Sequence, residues 1–263
     1  MSADIRRLPG FSFVAIFAFA FLYAPMATLI AYSFNSGKSV GLWKGFSLTW
    51  YQSVLADERV MSATLLSLQI ALFASIVATT FAVMAALATV RGTRFPGQGA
   101  VYAMINHPLV VPEIVIAVAL LIVIGFVKQV TGYAGLGFIL LAHAAFCLPL
   151  AYLPIQARLE GMDRDLDRAA ADLYAGDWQI FRRITLPLMV PGILAGFMLS
   201  FVSSLDNVLI TLFLAGPDQE TLPLYVFGQM RRGVTPELNV ISTLFLGASV
   251  LLVGAFFLLN RKR

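Results

Sequence analysis

Long apolar stretches alternate with short polar segments along almost the whole chain. Six such stretches lie at about residues 11–33, 63–90, 99–127, 134–156, 188–213 and 239–260. A helix of roughly 20 apolar residues is long enough to cross the ~30 Å hydrocarbon core of a bilayer. The pattern therefore predicts an all-α, polytopic membrane protein with six transmembrane helices.

Composition supports the membrane class and indicates one domain. Charged residues make up 12% of the chain, whereas roughly 25% is usual for soluble domains. The first apolar stretch is longer than the ~7–15 residues of a signal-peptide core, so it is interpreted as a retained span. Neither a repeat nor a low-complexity linker divides the chain, which predicts a single transmembrane domain over residues 1–263.

The distribution of basic residues predicts the orientation. Twelve of the 18 Lys and Arg residues fall on the side that holds both termini and residues 157–187, and six fall on the other side. The first group includes Arg6, Arg7, Arg91, Arg94 and Arg261–Arg263. Because positive loops stay in the cytoplasm, both termini and the 157–187 loop are predicted to be cytoplasmic.

Two acids interrupt the apolar spans. Glu113 follows Pro112 in the third stretch, and Asp206 lies in the fifth. An acid in a span is costly unless it faces a helix interface or a water-filled pathway. We therefore expect Glu113 and Asp206 to line a pathway that favours a cationic solute. Structural pairing of these acids and a position at the membrane interface are the alternatives.

Polar and aromatic neighbours extend this candidate pathway. Helical spacing predicts one shared polar face in the fifth stretch, formed by Ser200, Ser203, Ser204 and Asn207. Trp50 lies on the predicted external side, where it would either stack on a cation or anchor the chain at the membrane interface.

Other motifs do not support an enzyme. The Ser36–Ser39 sequence SGKS resembles the end of a phosphate-binding loop, but Tyr32 stands where that loop needs a glycine. His107 and His143 lie on different spans without metal-ligand spacing, so packed core histidines are the preferred interpretation. The chain is thus predicted not to hydrolyse ATP or hold a metal, and the scattered basic residues do not indicate nucleic-acid binding.

Residues 168–187, RAAADLYAGDWQIFRRITLP, form the most polar segment between two spans. The pattern predicts two short helices, the first starting at Asp163 or Asp165. Ala175-Gly176 permits a sharp turn, and Asp177 is a candidate N-cap of the second helix. Pro187 is expected to end that helix before the fifth span.

This segment resembles the cytoplasmic loop of ABC-importer permeases. The positions that match the family pattern at its spacing are Ala169, Ala170, Ala175, Phe181, Ile184, Leu186 and Pro187. Arg168 stands in place of the family's glutamate and Tyr174 in place of its first glycine, with Gly176 expected to supply the turn instead. The resemblance implies that the loop docks as a coupling helix on a separate ATPase subunit.

Along nearly the whole chain, the sequence is similar to the second permease subunit of spermidine/putrescine importers. The segments that carry this similarity include VPEIVIAVALL, FCLP and SLDNVLITLFLAGPDQETLPLYVFGQMRRGVTPELN. The subfamily commonly has two acids where Asp206 and Asn207 stand here. The resemblance implies a type I-like permease fold in a bacterial inner membrane. It also implies a second permease, two ATPase subunits that bind ATP, an external solute-binding protein and a polyamine-like solute.

Three alternatives remain open on the sequence. The importer would otherwise carry an opine, an amino-acid derivative or an iron complex. A stand-alone channel or secondary transporter would need neither ATP nor partners, and the inverted repeat typical of many secondary transporters is not detected. A membrane enzyme is the least supported interpretation.

Overall fold

The computed structural model describes residues 11–39, 41–93, 95–133 and 135–260. Within these ranges the secondary structure is helical, apart from one isolated bridge between Asn35 and Phe46. Several residues used above to predict orientation, namely Arg6, Arg7, Arg94 and Arg261–Arg263, lie outside the described residues.

The α-helices are α1 (Phe11–Ser33), α2 (Thr49–Ala56), α3 (Glu58–Ala86), α4 (Gln98–Val110), α5 (Glu113–Thr131), α6 (Gly137–Glu160), α7 (Asp165–Asp172), α8 (Asp177–Ile180), α9 (Leu186–Leu205), α10 (Leu209–Leu214), α11 (Leu222–Arg232) and α12 (Pro236–Asn260). Two π-helical segments adjoin them: π1 (Leu87–Arg91) continues α3, and π2 (Phe181–Thr185) joins α8 to α9.

Among the described residues, six helical runs are long and apolar enough to span a membrane. They are Ser12–Ser33, Glu58–Arg91, Glu113–Thr131, Gly137–Glu160, Asp177–Leu205 and Pro236–Phe256. The predicted number of spans is confirmed, and so is the all-helical class within the described chain.

The predicted third and fifth spans are wrong in one respect, because each is broken. The expected third span contains α4 and α5, separated at Val111, whose backbone is extended. Val111 precedes Pro112, and a residue before proline avoids the helical region. The expected fifth span contains α9 and α10, separated at Asp206, where the backbone leaves helical geometry.

Pro187 does not end a helix as predicted. The helical run continues from Asp177 through π2 into α9, and Pro187 occupies the second position of α9. Proline clashes with the carbonyl four residues earlier in an ordinary helix. The preceding π2 segment has a wider i→i+5 geometry, which accommodates this missing bond and allows the run to continue.

The chain divides into two compact units. The first comprises residues 1–61 and 226–254, and the second comprises residues 62–225 and 255–263. In the second unit, α6 packs along α9, and both contribute to a buried core with α3 and α4 that includes Ala86, Ile105, Tyr152 and Met189.

Two glycines explain the close approach of α6 and α9. A Cβ on Gly196 would lie 2.5 Å from the carbonyl oxygen of Ala151, and one on Gly192 would lie 2.7 Å from Cβ of Arg158. Gly192 and Gly196 form a G-x-x-x-G pattern, which lets two helices in a membrane pack backbone against backbone.

In the first unit, a buried asparagine organises the loop that contains SGKS. Asn35 Oδ1 accepts hydrogen bonds from the backbone N–H groups of Gly37 at 3.2 Å and Lys44 at 2.8 Å, and Asn35 Nδ2 donates to Leu42 O at 2.7 Å. A phosphate-binding loop presents its free N–H groups at a helix start. Here the N–H groups of Gly37 and Lys44 are used by Asn35, so this motif serves the loop's own structure.

Candidate functional site

The two acids predicted to line a pathway both lie at helix breaks. Glu113 is the first residue of α5, immediately after the break at Val111–Pro112. Asp206 is the residue that follows α9, at the break before α10. Backbone interrupted at membrane depth is tolerated where it is buried in protein or lines a water-filled cavity. We call Glu113, Asp206 and Asn207 the polar break.

Glu113 and Asn207 are in direct contact. Asn207 Nδ2 donates a hydrogen bond of 2.5 Å to Glu113 Oε1, across 94 residues of sequence. Asn207 Oδ1 accepts a bond of 3.0 Å from the backbone N–H of Ile210 and so caps the first turn of α10 from the residue before the N-cap position, Val208. Asn207 is buried and Glu113 half-buried. Both the oxygen and the nitrogen of the Asn207 side-chain amide are therefore used, and the nitrogen holds the carboxylate of Glu113.

The second acid of the polar break has a more open environment. Asp206 is exposed, although the next residue in the chain, Asn207, is buried. Ser203, also expected to line the pathway, is half-buried on α9 one turn before Asp206. The structure thus places Glu113, Ser203, Asp206 and Asn207 in the same unit. Trp50 is half-buried in α2, in the other unit.

The two histidines differ. His143 is a buried core histidine, as predicted, with Nδ1 2.8 Å from Ser204 Oγ and Nε2 3.1 Å from Thr211 Oγ1. His107 is exposed in α4, so the prediction that it is packed in a core is wrong for this chain. The apolar residues around His107 in the sequence face outward as well, because α4 buries only Ile105.

The two short helices predicted in the 157–187 loop are present as α7 and α8. Helix α7 begins at Asp165, and Asp163 Oδ1 accepts a 2.9 Å hydrogen bond from its backbone N–H. Helix α8 begins at Asp177 rather than after it, and the capping position is Gly176. The prediction that Asp177 caps α8 is therefore wrong by one residue. Its carboxylate still lies in the first turn, where the helix dipole favours negative charge.

The turn between α7 and α8 is made by Tyr174. Its φ of 63° is left-handed, whereas Gly176 is extended with φ −72° and ψ 158°. Ala175 N–H donates to Ala170 O at 3.1 Å and Tyr174 N–H donates to Ala171 O at 2.9 Å, which is the Schellman pattern of helix ends. That pattern places its left-handed residue at position 174. The expectation that Gly176 supplies the turn is wrong, and Tyr174 takes the strained conformation itself.

Exposure separates two groups among the loop residues expected to take part in coupling. Arg168, Ala169, Tyr174, Gly176, Asp177 and Pro187 are exposed, whereas Ala170, Ala175, Phe181, Ile184 and Leu186 are half-buried. Tyr174 is 98% exposed. The exposed group is available to another protein, and the half-buried group packs within this chain.

Two arginines that the sequence interpretation did not single out as site residues attach the loop to the end of α3. Arg91 Nη1 in π1 lies 2.6 Å from Asp167 Oδ2 in α7. Arg164, just before α7, donates through Nη2 to the carbonyl of Val90. A cleft of about 480 Å³ lies between π1, α7 and π2, lined by residues that include Leu87, Arg91, Asp167, Phe181 and Thr185. No sequence signal joins positions 76 residues apart, so this connection needed the structure.

Comparison with known proteins agrees with these features. Residues 78–261 match the family described as binding-protein-dependent transport system inner membrane component. The chain is 41% identical to the putrescine transport system permease protein PotI of Escherichia coli K12, over 98% of this chain and 93% of that protein. It is 39% identical to the spermidine/putrescine transport system permease protein PotC of Haemophilus influenzae, over 93% of each chain.

A solved structure has the same fold at low sequence identity. A bacterial ABC transporter involved in the import of the acidic polysaccharide alginate superposes with a TM-score of 0.73 at 15% identity, over 95% of this chain and 92% of that chain. The helices described above therefore form the fold of an ABC-importer permease.

This chain belongs to the family of binding-protein-dependent inner membrane transport components, that is, the permeases of ABC importers. It is a multi-pass subunit of the inner membrane and a transport component rather than an enzyme. The resemblance stated from the sequence is confirmed. Membership implies a separate solute-binding protein and a separate ATPase as partners.

Proposed function

We propose that this permease forms half of the translocation pathway of an ATP-driven polyamine importer. The observation that carries the proposal is the contact between Glu113 and Asn207 beside the exposed Asp206. The relatives named PotI and PotC, which transport putrescine or spermidine by their names, are similar over nearly the whole chain.

The chemistry of the polar break suits a solute with several ammonium groups. Acids in transmembrane segments mark solute and ion pathways, because they are retained despite their cost in lipid. Broken helices are typical of substrate sites in secondary transporters, because the helix ends at a break present polar groups to the solute. The breaks at Val111–Pro112 and Asp206 also create such helix ends. Glu113 presents one oriented carboxylate and Asp206 a second, more exposed one. Ser203 would line the same pathway.

The solute proposal is tested by uptake into vesicles that contain the importer with its partner subunits. Labelled putrescine and spermidine are compared with a panel that includes an opine, an amino-acid derivative and an iron complex. Glu113→Gln and Asp206→Asn should each raise the half-saturating polyamine concentration about 10-fold or more, since each removes a charge partner of an ammonium group. Glu58→Gln, at the exposed start of α3, is the matched control. Unchanged uptake in both pathway variants would refute the role of these acids.

We also propose an assembly in which the whole chain, residues 1–263, acts as one transmembrane domain. It pairs with a second permease in a heterodimer, with two ATPase subunits that bind ATP and with a periplasmic solute-binding protein. Both termini and the 157–187 loop lie in the cytoplasm, as the Lys and Arg distribution predicts. The exposed face of α7 and Tyr174 docks on the ATPase, and its movement switches the spans between outward-facing and inward-facing states.

Docking is tested best at Ala169, because this residue is exposed whereas Ala170 is half-buried. Ala169→Arg should abolish uptake and reduce copurification of the ATPase, while the permease remains in the membrane. Ala170→Arg should uncouple uptake too, but it also disturbs packing within this chain. Full uptake and full copurification of Ala169→Arg would exclude docking through this face.

A further inference from the structure

A buried histidine bridges the break in the fifth span. His143 lies on α6, and its two ring nitrogens contact hydroxyl groups on opposite sides of the break: Ser204 Oγ at 2.8 Å, in the last turn of α9, and Thr211 Oγ1 at 3.1 Å, in the first turn of α10. The His143 side chain is 1% exposed. One rigid ring therefore connects both ends of the interrupted helix.

The bridge is continuous with the polar break. Thr211 Oγ1 lies 3.4 Å from the carbonyl oxygen of Asn207, to which it donates. Asn207 then caps α10 through Oδ1 and holds Glu113 through Nδ2. A chain of hydrogen-bonding groups thus runs from α6 through α10 to the first residue of α5.

Each of these groups has a hydrogen-bond partner. A neutral imidazole donates from one nitrogen and accepts at the other, and a hydroxyl does either. With Thr211 donating to Asn207 O, one consistent arrangement has His143 Nε2–H donating to Thr211 and Nδ1 accepting from Ser204. Buried polar groups are costly when unsatisfied. Removing the ring would leave both hydroxyl groups to find new partners and would free the ends of the break.

We propose that His143 is a positioning residue that holds the α9–α10 break in one geometry and, through Thr211 and Asn207, keeps the Glu113 carboxylate oriented toward the pathway. His143 itself does not contact the solute in this proposal. The inference rests on the proposed function for the meaning of that orientation, whereas the bridge across the break is a property of the chain alone.

The bridge is tested without any solute. Cys147 is the sole cysteine of the sequence and is buried, so Cys147→Ala combined with Leu205→Cys gives a single thiol at the end of α9, in a buried position that a reagent reaches only when the break opens. The rate of labelling by a water-soluble methanethiosulfonate reagent is measured with and without His143→Leu. We expect labelling to become ~10-fold faster, the factor that corresponds to ~1.4 kcal/mol and to two modest hydrogen bonds.

Thr211→Val provides a second variant that removes one end of the bridge while keeping the side-chain shape, and it repeats the test if His143→Leu does not reach the membrane. Ser200→Ala is the matched control. Ser200 donates to Cys147 O at 3.1 Å in the same α6–α9 interface but lies one turn before Ser204, away from the break. Faster labelling with Thr211→Val and unchanged labelling with Ser200→Ala support the bridge. Equal rates in all variants overturn it.

Uptake measurements on His143 variants then test whether the bridge controls the orientation of Glu113. His143→Gln retains a nitrogen near the position of Nε2 and His143→Asn one near Nδ1, so each keeps one contact. Both should show a several-fold higher half-saturating putrescine concentration with a retained maximal rate, and His143→Leu a larger increase. A fall in maximal rate alone would indicate a purely structural role and overturn the positioning proposal. If wild-type protein does not transport putrescine, the polyamine function fails, but the labelling test of the bridge still stands.

Discussion

Arg91 at the end of π1 and Asp167 in the first turn of α7 form an ion pair of 2.6 Å, with side-chain exposures of 13% and 29%. Arg91 also donates to Met162 O at 3.5 Å. The pair joins the 157–187 loop to the continuation of α3 through a partly buried contact. The adjoining π1 segment has the geometry often found at functional sites in helices.

Removing this ion pair should impair coupling. Asp167→Asn leaves the Arg91 guanidinium without its charge partner, at a cost of about 1–3 kcal/mol in the free energy of unfolding. We expect less solute to be transported per ATP hydrolysed, because the proposed movement of α7 would no longer be transmitted to α3. The exchange Arg91→Asp with Asp167→Arg should restore most of the ratio. Glu58→Gln, at the exposed start of α3 and outside the 157–187 loop, is the control and should have little effect. A normal ratio in Asp167→Asn would contradict this coupling role.

Tyr174→Gly should make the turn between α7 and α8 more stable. A left-handed residue with a Cβ costs roughly 1–2 kcal/mol, a cost that glycine does not have. Hydrogen exchange of the amides at Tyr174 and Ala175, which close the Schellman pattern, should slow by about 5-fold or more for ~1 kcal/mol. Tyr174→Ala removes the same ring but keeps a Cβ, so its exchange should not slow. Equal protection in both variants would show that strain at this residue is not released.

Asn207→Asp should damage the polar break more than Asn207→Ser. Aspartate keeps the cap on Ile210 but replaces the donor to Glu113 with a second carboxylate oxygen, and like charges in contact repel. Serine also keeps a capping oxygen and only removes the donor. We expect the thermal unfolding midpoint of the solute-free permease to be several degrees lower for aspartate than for serine, because no cation then offsets the repulsion. An equal midpoint for Asn207→Asp and Asn207→Ser would refute the role of this amide as the partner of Glu113.

Gly196→Ala should separate α6 from α9. Its Cβ would lie 2.5 Å from Ala151 O, so one backbone must move, and overpacking of this kind costs about 1–3 kcal/mol. The thermal unfolding midpoint of the purified permease should fall by several degrees. Gly125→Ala in α5 has no atom within 4 Å of the new Cβ and should be nearly neutral. A Gly196→Ala midpoint equal to that of Gly125→Ala would contradict close packing at this position.

The length of the apolar runs and the spacing of residues within one segment were sufficient to predict the number of spans, the permease family and the two intramembrane acids. Six apolar runs predict six spans because crossing a bilayer is a matter of local length and hydrophobicity, and six span-length runs are found among the described residues. The positions from Ala169 to Pro187 indicated the permease family because the family's loop pattern consists of residues at fixed local offsets, which a single sequence displays. Glu113 and Asp206 drew attention because a single acid in an apolar run is visible without any neighbour.

The contacts of those residues depended on the fold. In the sequence, Asn207 stands where the polyamine-importer subfamily commonly has an acid. In the structure, its amide nitrogen donates to Glu113, 94 residues away. His143 had the expected burial, but its position across the α9–α10 break follows from the packing of α6 against α9. Arg91 meets Asp167 because π1 ends beside α7. Helix breaks, left-handed turns and ion pairs between distant segments arise from competition between local backbone preference and tertiary contact, and the sequence pattern contains only the first of these two terms.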